Sequence, residues 1–229
     1  PSVPVSDKTQ WPKIFSGQYG AEISALMLSK EKLVHSSLWG GDLEAFIFQG
    51  SARGLFRKKD VLFSVADTSV YRLGKKAPFG SILGARGPYG IFAAGVDTPL
   101  NNWFRKVYID RYSVPPVGGS YQAAQGVLAA KYAYDAAAKA NGGKFPNKDQ
   151  VIAALEGATY QGIAAPVHMN RSNGHQAATK HMIGVLQWDK EAGEPIMTKV
   201  TEFGPDCVMP PPGVNGTEWL KGGMKGAKC

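Results

Sequence analysis

The chain has 229 residues, 44 % of them hydrophobic and 19 % charged, a balance that excludes a disordered segment and suffices for one large domain or two small ones. No run approaches the roughly 18 apolar residues of a membrane span, and Pro1-Ser2-Val3-Pro4 lacks the charged-then-apolar pattern of a signal peptide, as a mature secreted chain also would. The net charge of +8 is diluted, with Arg57-Lys58-Lys59 and Lys75-Lys76 as its densest runs, so it reads as solvated surface and not as a nucleic-acid footprint.

In chain order the first stretch reads as α/β. Ile23, Leu26 and Met27 keep helical spacing within residues 18–29, and residues 33–38 form a short strand-like run that places His35 in the core as a hydrogen-bonded histidine. Trp39-Gly40-Gly41-Asp42 is a glycine break. Leu43, Phe46 and Ile47 open a helix that stops at Gly54. Residues 61–65 and 81–85 are further strands, and the alternation with helices predicts βαβ units and a mainly parallel sheet.

The middle is helical. Leu100, Trp103, Phe104, Val107 and Tyr108 mark one buried face, and Pro115-Pro116 separates it from an alanine-rich helix over residues 120–140. A third helix covers residues 148–156, with Asn147 as N-cap and Val151, Ile152 and Leu155 inward. In the last third, residues 166–169, 182–188 and 196–203 are extended, and residues 170–175 have turn chemistry. Pro210-Pro211-Pro212 denies its segment to a helix or central strand. The glycine- and lysine-rich residues 221–229 read as a frayed tail.

Catalytic and cofactor motifs are missing. There is no phosphate loop, no dinucleotide fingerprint and no nucleophile elbow, so the reading is a non-enzyme without cofactor. His168, His175 and His181 lack convergent Cys, Asp or Glu partners and read as turn or edge positions, with no metal site. Cys207 and Cys229 do not make a disulfide scaffold, and a single bridge between them is open in an oxidising compartment. Two loops that follow strands stand out: Trp39-Gly40-Gly41-Asp42 and Ala66-Asp67-Thr68-Ser69. Ligands bind at the carboxyl ends of strands in open α/β sheets, and an aromatic plate beside an acid suits a small polar organic ligand. The competing reading is structural, with Trp39 covering the sheet end and Asp67 capping a short helix.

The ordered set of segments resembles the later part of the type I periplasmic solute-binding proteins of branched-chain amino-acid ABC importers. Carrying it are Gln10-Trp11-Pro12, Ser36-Ser37-Leu38-Trp39-Gly40-Gly41-Asp42-Leu43, Gln49-Gly50-Ser51-Ala52-Arg53-Gly54-Leu55 and Asn102-Trp103-Phe104. The run continues through Ala123-Ala124-Gln125-Gly126-Val127, Tyr160-Gln161-Gly162, Gly174-His175-Gln176-Ala177 and Cys207-Val208-Met209-Pro210-Pro211-Pro212-Gly213. No single motif is diagnostic; the order carries the resemblance, over nearly the whole chain.

The resemblance implies two Rossmann-like lobes with a hinge. Residues 1–84 and 164–229 would belong to the second lobe and residues 85–163 to the first, which is incomplete here. It implies capture of a small organic solute (an amino acid, aromatic acid or amide) outside the cytoplasm and delivery to ABC permease subunits. Trp39, Gly40, Asp42, Asp67, Thr68 and Tyr89 are the implied ligand-binding positions. Family chains begin with a long segment that builds most of the first lobe. Nothing here corresponds to it, so the expectation is a truncated chain or a second polypeptide that supplies the segment. Without it the helices within 98–140 would expose apolar faces. A ligand-sensing regulatory domain of the same fold, or a fragment that binds nothing, are the alternatives.

Overall fold

A computed structural model describes residues 9–169 and 177–229; the turn expected over residues 170–175, with His175, lies outside them. The chain divides into two compact units, Pro1–Gly84 with Ile183–Val200, and Ala85–Met182 with Thr201–Cys229.

The first unit begins with α1 (Gly20–Leu28), β1 (Leu33–Ser36), α2 (Gly40–Ala52), α3 (Leu55–Lys58) and β2 (Asp60–Phe63). After a 3-10 turn over Ala66–Thr68 come α4 (Val70–Leu73), a second such turn over Gly74–Lys76 and β3 (Ile82–Ala85). β1 pairs parallel with β2, and β2 parallel with β3, as the βαβ alternation predicts. The sheet is completed by β7 and β8, much later in the chain, in the order β1-β2-β3-β7-β8. Side chains that alternate along β1 and β2 bury Val34, Val61 and Phe63 against the helices. Phe46 of α2 sits edge-on to Tyr19 and Phe56, with ring centres 6.0 and 6.2 Å apart. Fully buried side chains such as Ile23, Leu43 and Leu83 each contribute about 1.5–3 kcal/mol.

His35 departs from expectation. It is exposed, on the opposite pleat from Val34, with Nε2 2.5 Å from Ser64 Oγ. The glycine break also differs. Gly40 is the first residue of α2, at φ +57°, a left-handed conformation that glycine adopts without Cβ strain.

The second unit holds a 3-10 helix over Gly90–Gly95, then α5 (Pro99–Tyr112), α6 (Gly118–Ala140) and α7 (Lys148–Leu155). β4 (Thr159–Gln161), β5 (Pro166–Met169) and β6 (Ala177–Ala178) form a three-stranded sheet with antiparallel β4–β5 and β5–β6 pairs. β7 (His181–Asp189) and β8 (Glu194–Phe203) follow, and α8 (Pro205–Val208) and α9 (Gly216–Lys221) end the chain. Asn147 caps α7 in a reciprocal box with Gln150, the N-terminal device its side chain predicts. On α5 the apolar residues Leu100 and Phe104 pack on the core of Tyr89, Tyr121 and Ile163, and buried Asn101 accepts from the Tyr121 hydroxyl at 2.8 Å. Trp103 and Val107, expected on the same face, are exposed, because they lie one helical step away from that stripe. Ile152, expected inward, is 44 % exposed.

The tail is not frayed. Cys207 and Cys229 are disulfide-bonded, Trp219 is buried and its Nε1 donates to Lys225 O at 2.9 Å. Lys228 N–H donates to Asp206 O at 3.0 Å, which folds the last residues back on α8.

Candidate functional site

β1 and β2 run parallel, so their carboxyl ends open on the same side of the sheet. Two loops meet there. Trp39 is extended at the entry to α2 and 63 % exposed; its carbonyl accepts the first helical bond, from Leu43 N–H. Gly40 N–H donates to Thr68 Oγ1 at 3.4 Å, and Ser69 Oγ donates back to Gly40 O at 3.3 Å. Thr68 Oγ1 in turn donates to Val65 O at 3.0 Å. The two loops are thereby stitched into one surface, with Asp67 in the 3-10 turn of the second loop, 7 % exposed.

This brings together Trp39, Gly40, Asp67 and Thr68 of the six positions singled out. α2 begins at the same point, so the positive end of its dipole faces the strand ends. An aromatic face, a helix N-terminus and a nearby carboxylate together can hold a small organic acid, with or without an ammonium group.

The other two positions do different work. Asp42 turns to the loop before α1. Its Oδ2 accepts from Phe15 N–H at 2.9 Å and its Oδ1 from the Tyr19 hydroxyl. The Tyr19 hydrogen bond, followed by the Phe15 amide, holds the Asp42 carboxyl below its ordinary value. Tyr19 responds in the opposite sense: burial first, then the bond to Asp42, pushes its hydroxyl up to about 12. Tyr89 belongs to the second unit. It is buried, stacks on Tyr121 at 5.7 Å and donates to Gln125 Oε1 at 2.9 Å, and burial raises its hydroxyl.

The sequence places Ser69 in the second loop without a role of its own; its side chain is fully buried and ties that loop to the first. The available signal was a serine between a short turn and the apolar Val70-Tyr71-Arg72-Leu73 helix. Sequence reasoning passed over Phe15 and Tyr19, which no local pattern connects with Asp42. Of the histidines, His168 pairs with Thr159 Oγ1 at 2.9 Å, and burial, then Arg86, lowers His181. Among the described residues no group of three or more His, Cys, Asp or Glu could hold a metal ion.

Residues 9–194 match the family described as periplasmic binding protein. The chain belongs to this family.

Solved structures agree with the type I periplasmic-binding-protein fold. One is a solute-binding protein of an ABC transporter from Rhodopseudomonas palustris BisB5, in complex with 3,4-dihydroxybenzoic acid. It is 18 % identical with a TM-score of 0.66, over 82 % of this chain and 49 % of that one. An amino-acid ABC transporter substrate-binding protein from Pseudomonas fluorescens Pf-5 is 18 % identical with a TM-score of 0.60, over 86 % of this chain and 51 % of its own. A leucine-binding protein from Thermotoga maritima MSB8 is 14 % identical with a TM-score of 0.62, over 84 % and 50 %. The chain therefore spans about half the length of the solved structures it matches. No curated protein matches it. Periplasmic binding proteins take small-molecule ligands outside the cytoplasm and work with ABC permeases.

Proposed function

We propose that this periplasmic binding protein captures a small organic solute, an amino acid or related carboxylate, for an ABC importer, and that it performs no chemistry on that solute. The observation that carries the reading is the stitched pair of loops at the carboxyl ends of β1 and β2, where α/β folds bind ligands. Trp39 offers a face for the apolar or aromatic body of the solute. Asp67 offers a partner for an ammonium group, and the start of α2 a partner for a carboxylate. Asp42 serves this site by holding the loop before α1.

In this reading residues 1–84 and 164–229 are second-lobe material and residues 85–163 are first-lobe material. A further first-lobe segment, in the same polypeptide or another, completes the protein. Delivery to permease subunits follows, outside the cytoplasm. Among the solved neighbours several hold aromatic acids and others are named for amino acids or leucine, so the ligand panel spans both classes.

The test is a thermal melt with and without millimolar amino acids, aromatic acids and short amides. A ligand at about 1,000 times its dissociation constant adds roughly 4 kcal/mol, several degrees for a chain of this size. The expected result is a shift for one class that Trp39→Ala and Asp67→Asn abolish while the ligand-free melt stays cooperative. A shift that survives both substitutions removes the site from these loops, and silence across the panel counts against solute capture.

A further inference from the structure

The opposite end of the first unit's sheet carries a second surface. Residues 54–59 lead into β2 and residues 74–81 into β3, so both segments lie at the amino ends of these parallel strands. The late part of β7 reaches the same end, since Gly80 N–H donates to Leu186 O at 2.8 Å and Leu186 N–H to Ser81 O at 2.9 Å.

Cations and rings alternate there. Lys76 Nζ lies 5.4 Å from the centre of the Phe48 ring, and Lys75 Nζ lies 5.6 Å from that of Trp188. Trp188 is 5.8 Å from Phe79. Phe79 and Arg57 line one open depression of about 250 Å³, with Phe56 and Pro78 as its apolar walls. Among the described residues no carboxylate is ion-paired with Arg57, Lys58, Lys75 or Lys76. Of the acids on the adjoining elements, Glu44 binds Arg72 and Asp189 accepts from the amides of Glu191 and Ala192, while Asp60, Glu191 and Glu194 are exposed. A lysine resting on a ring is held in place yet keeps its outward hydrogens for an anion. Several such cations beside low-dielectric aromatic walls concentrate a positive field.

We propose that this face docks an acidic segment of a protein partner, a stretch with several Asp or Glu and one apolar side chain for the depression. A protein segment fits better than a lipid surface. Membrane attachment needs protruding rings that enter the bilayer, whereas Trp188 and Phe79 are half-buried and Lys75 covers the Trp188 ring. The depression is concave and suits one inserted side chain. The surface is also at the far end of the strands from the Trp39 and Asp67 loops, so a partner can sit there without covering them.

The probe is a fluorescent peptide of ten glutamates interrupted by one central leucine, followed by anisotropy against the whole chain at low and physiological salt. The variants are Lys75→Glu/Lys76→Glu, the milder Lys75→Gln/Lys76→Gln and Phe79→Ala. Lys139→Glu/Lys148→Glu, in the second unit, is the charge-matched control. All are checked by thermal melt, and the glutamine pair carries the test if the reversal does not fold. The expected result is about tenfold weaker binding for the patch variants and less than about threefold for the control. Equal loss in the control reduces the effect to net charge and overturns the proposal, as does no binding by the native chain. Retention on anionic phosphatidylglycerol vesicles that depends on the patch, without peptide binding, assigns the surface to membranes and also overturns it.

Discussion

Asp42 shows how a single side chain changes meaning with its tertiary partners. Locally it is an acid in the first turn of α2, where it complements the helix dipole, beside a glycine-flanked aromatic. Nothing in that pattern discloses Phe15 and Tyr19, which occupy its two oxygens from the loop before α1. Trp39, Gly40, Asp67 and Thr68 were legible because strand-end loops have a known use and the glycine and acid stand in the sequence. The hydrogen bonds that join the two loops were not, because Gly40 and Thr68 meet only through the pairing of β1 with β2. The titration shifts give a signed prediction. The Asp42 carboxyl is lowered, so its contribution to stability is present above the ordinary carboxylate range and is lost as pH falls through its folded value. Tyr19, at about 12 against an ordinary 10, contributes stability that is present below pH 10 and is lost between 10 and 12. Urea unfolding across both windows should show both losses. Asp42→Asn should flatten the acidic one and speed tryptic cleavage at Lys13.

At the scale of elements, legibility followed the strength of local signals. α7 carries its capping box in the sequence, and α2 ends where Gly54 takes a left-handed conformation. α5 kept its helical period, but which apolar residues face inward depended on where the core of Tyr89 and Tyr121 lies. The tail was misread because glycine and lysine signal fraying, whereas its order comes from Trp219 and from a cross-link between residues 22 apart. Closing a loop of that length stabilises by about 3 kcal/mol in the chain-entropy account. Reduction, or Cys229→Ser, should therefore free the tail. Trypsin should then cut after Lys221 and Lys225 at least tenfold faster, while residues 33–63 keep their protection. Unchanged cleavage would assign the order of the tail to Trp219 alone.

For the molecule as a whole, the α/β class and the parallel start of the sheet followed from alternation of strand and helix. The chain's interleaving did not. Each compact unit is assembled from two separated stretches, and the sheet order places β7 beside β3, a pairing that no short-range pattern encodes. The absence of a helix long and apolar enough to cross a membrane among the described residues agrees with the modest, dispersed hydrophobic runs. Three of the dispersed cations, Arg57, Lys75 and Lys76, stand among aromatic rings in the folded first unit.

That interleaving has a consequence for synthesis on the ribosome. β1, β2 and β3 emerge before the rest of their sheet, and Leu83 is sealed in a sheet whose remaining strands, β7 and β8, are made only after residues 86–180. Until then the nascent first unit has an unpaired strand edge, the kind of surface that aggregates. A chain stopped at residue 180 should fail to protect residues 82–85 of β3 from hydrogen exchange, and a separately supplied peptide of residues 181–203 should restore that protection. Burial of Leu83 therefore comes late in the life of each molecule, and agents that shield strand edges should matter most in the interval before residue 203 is free.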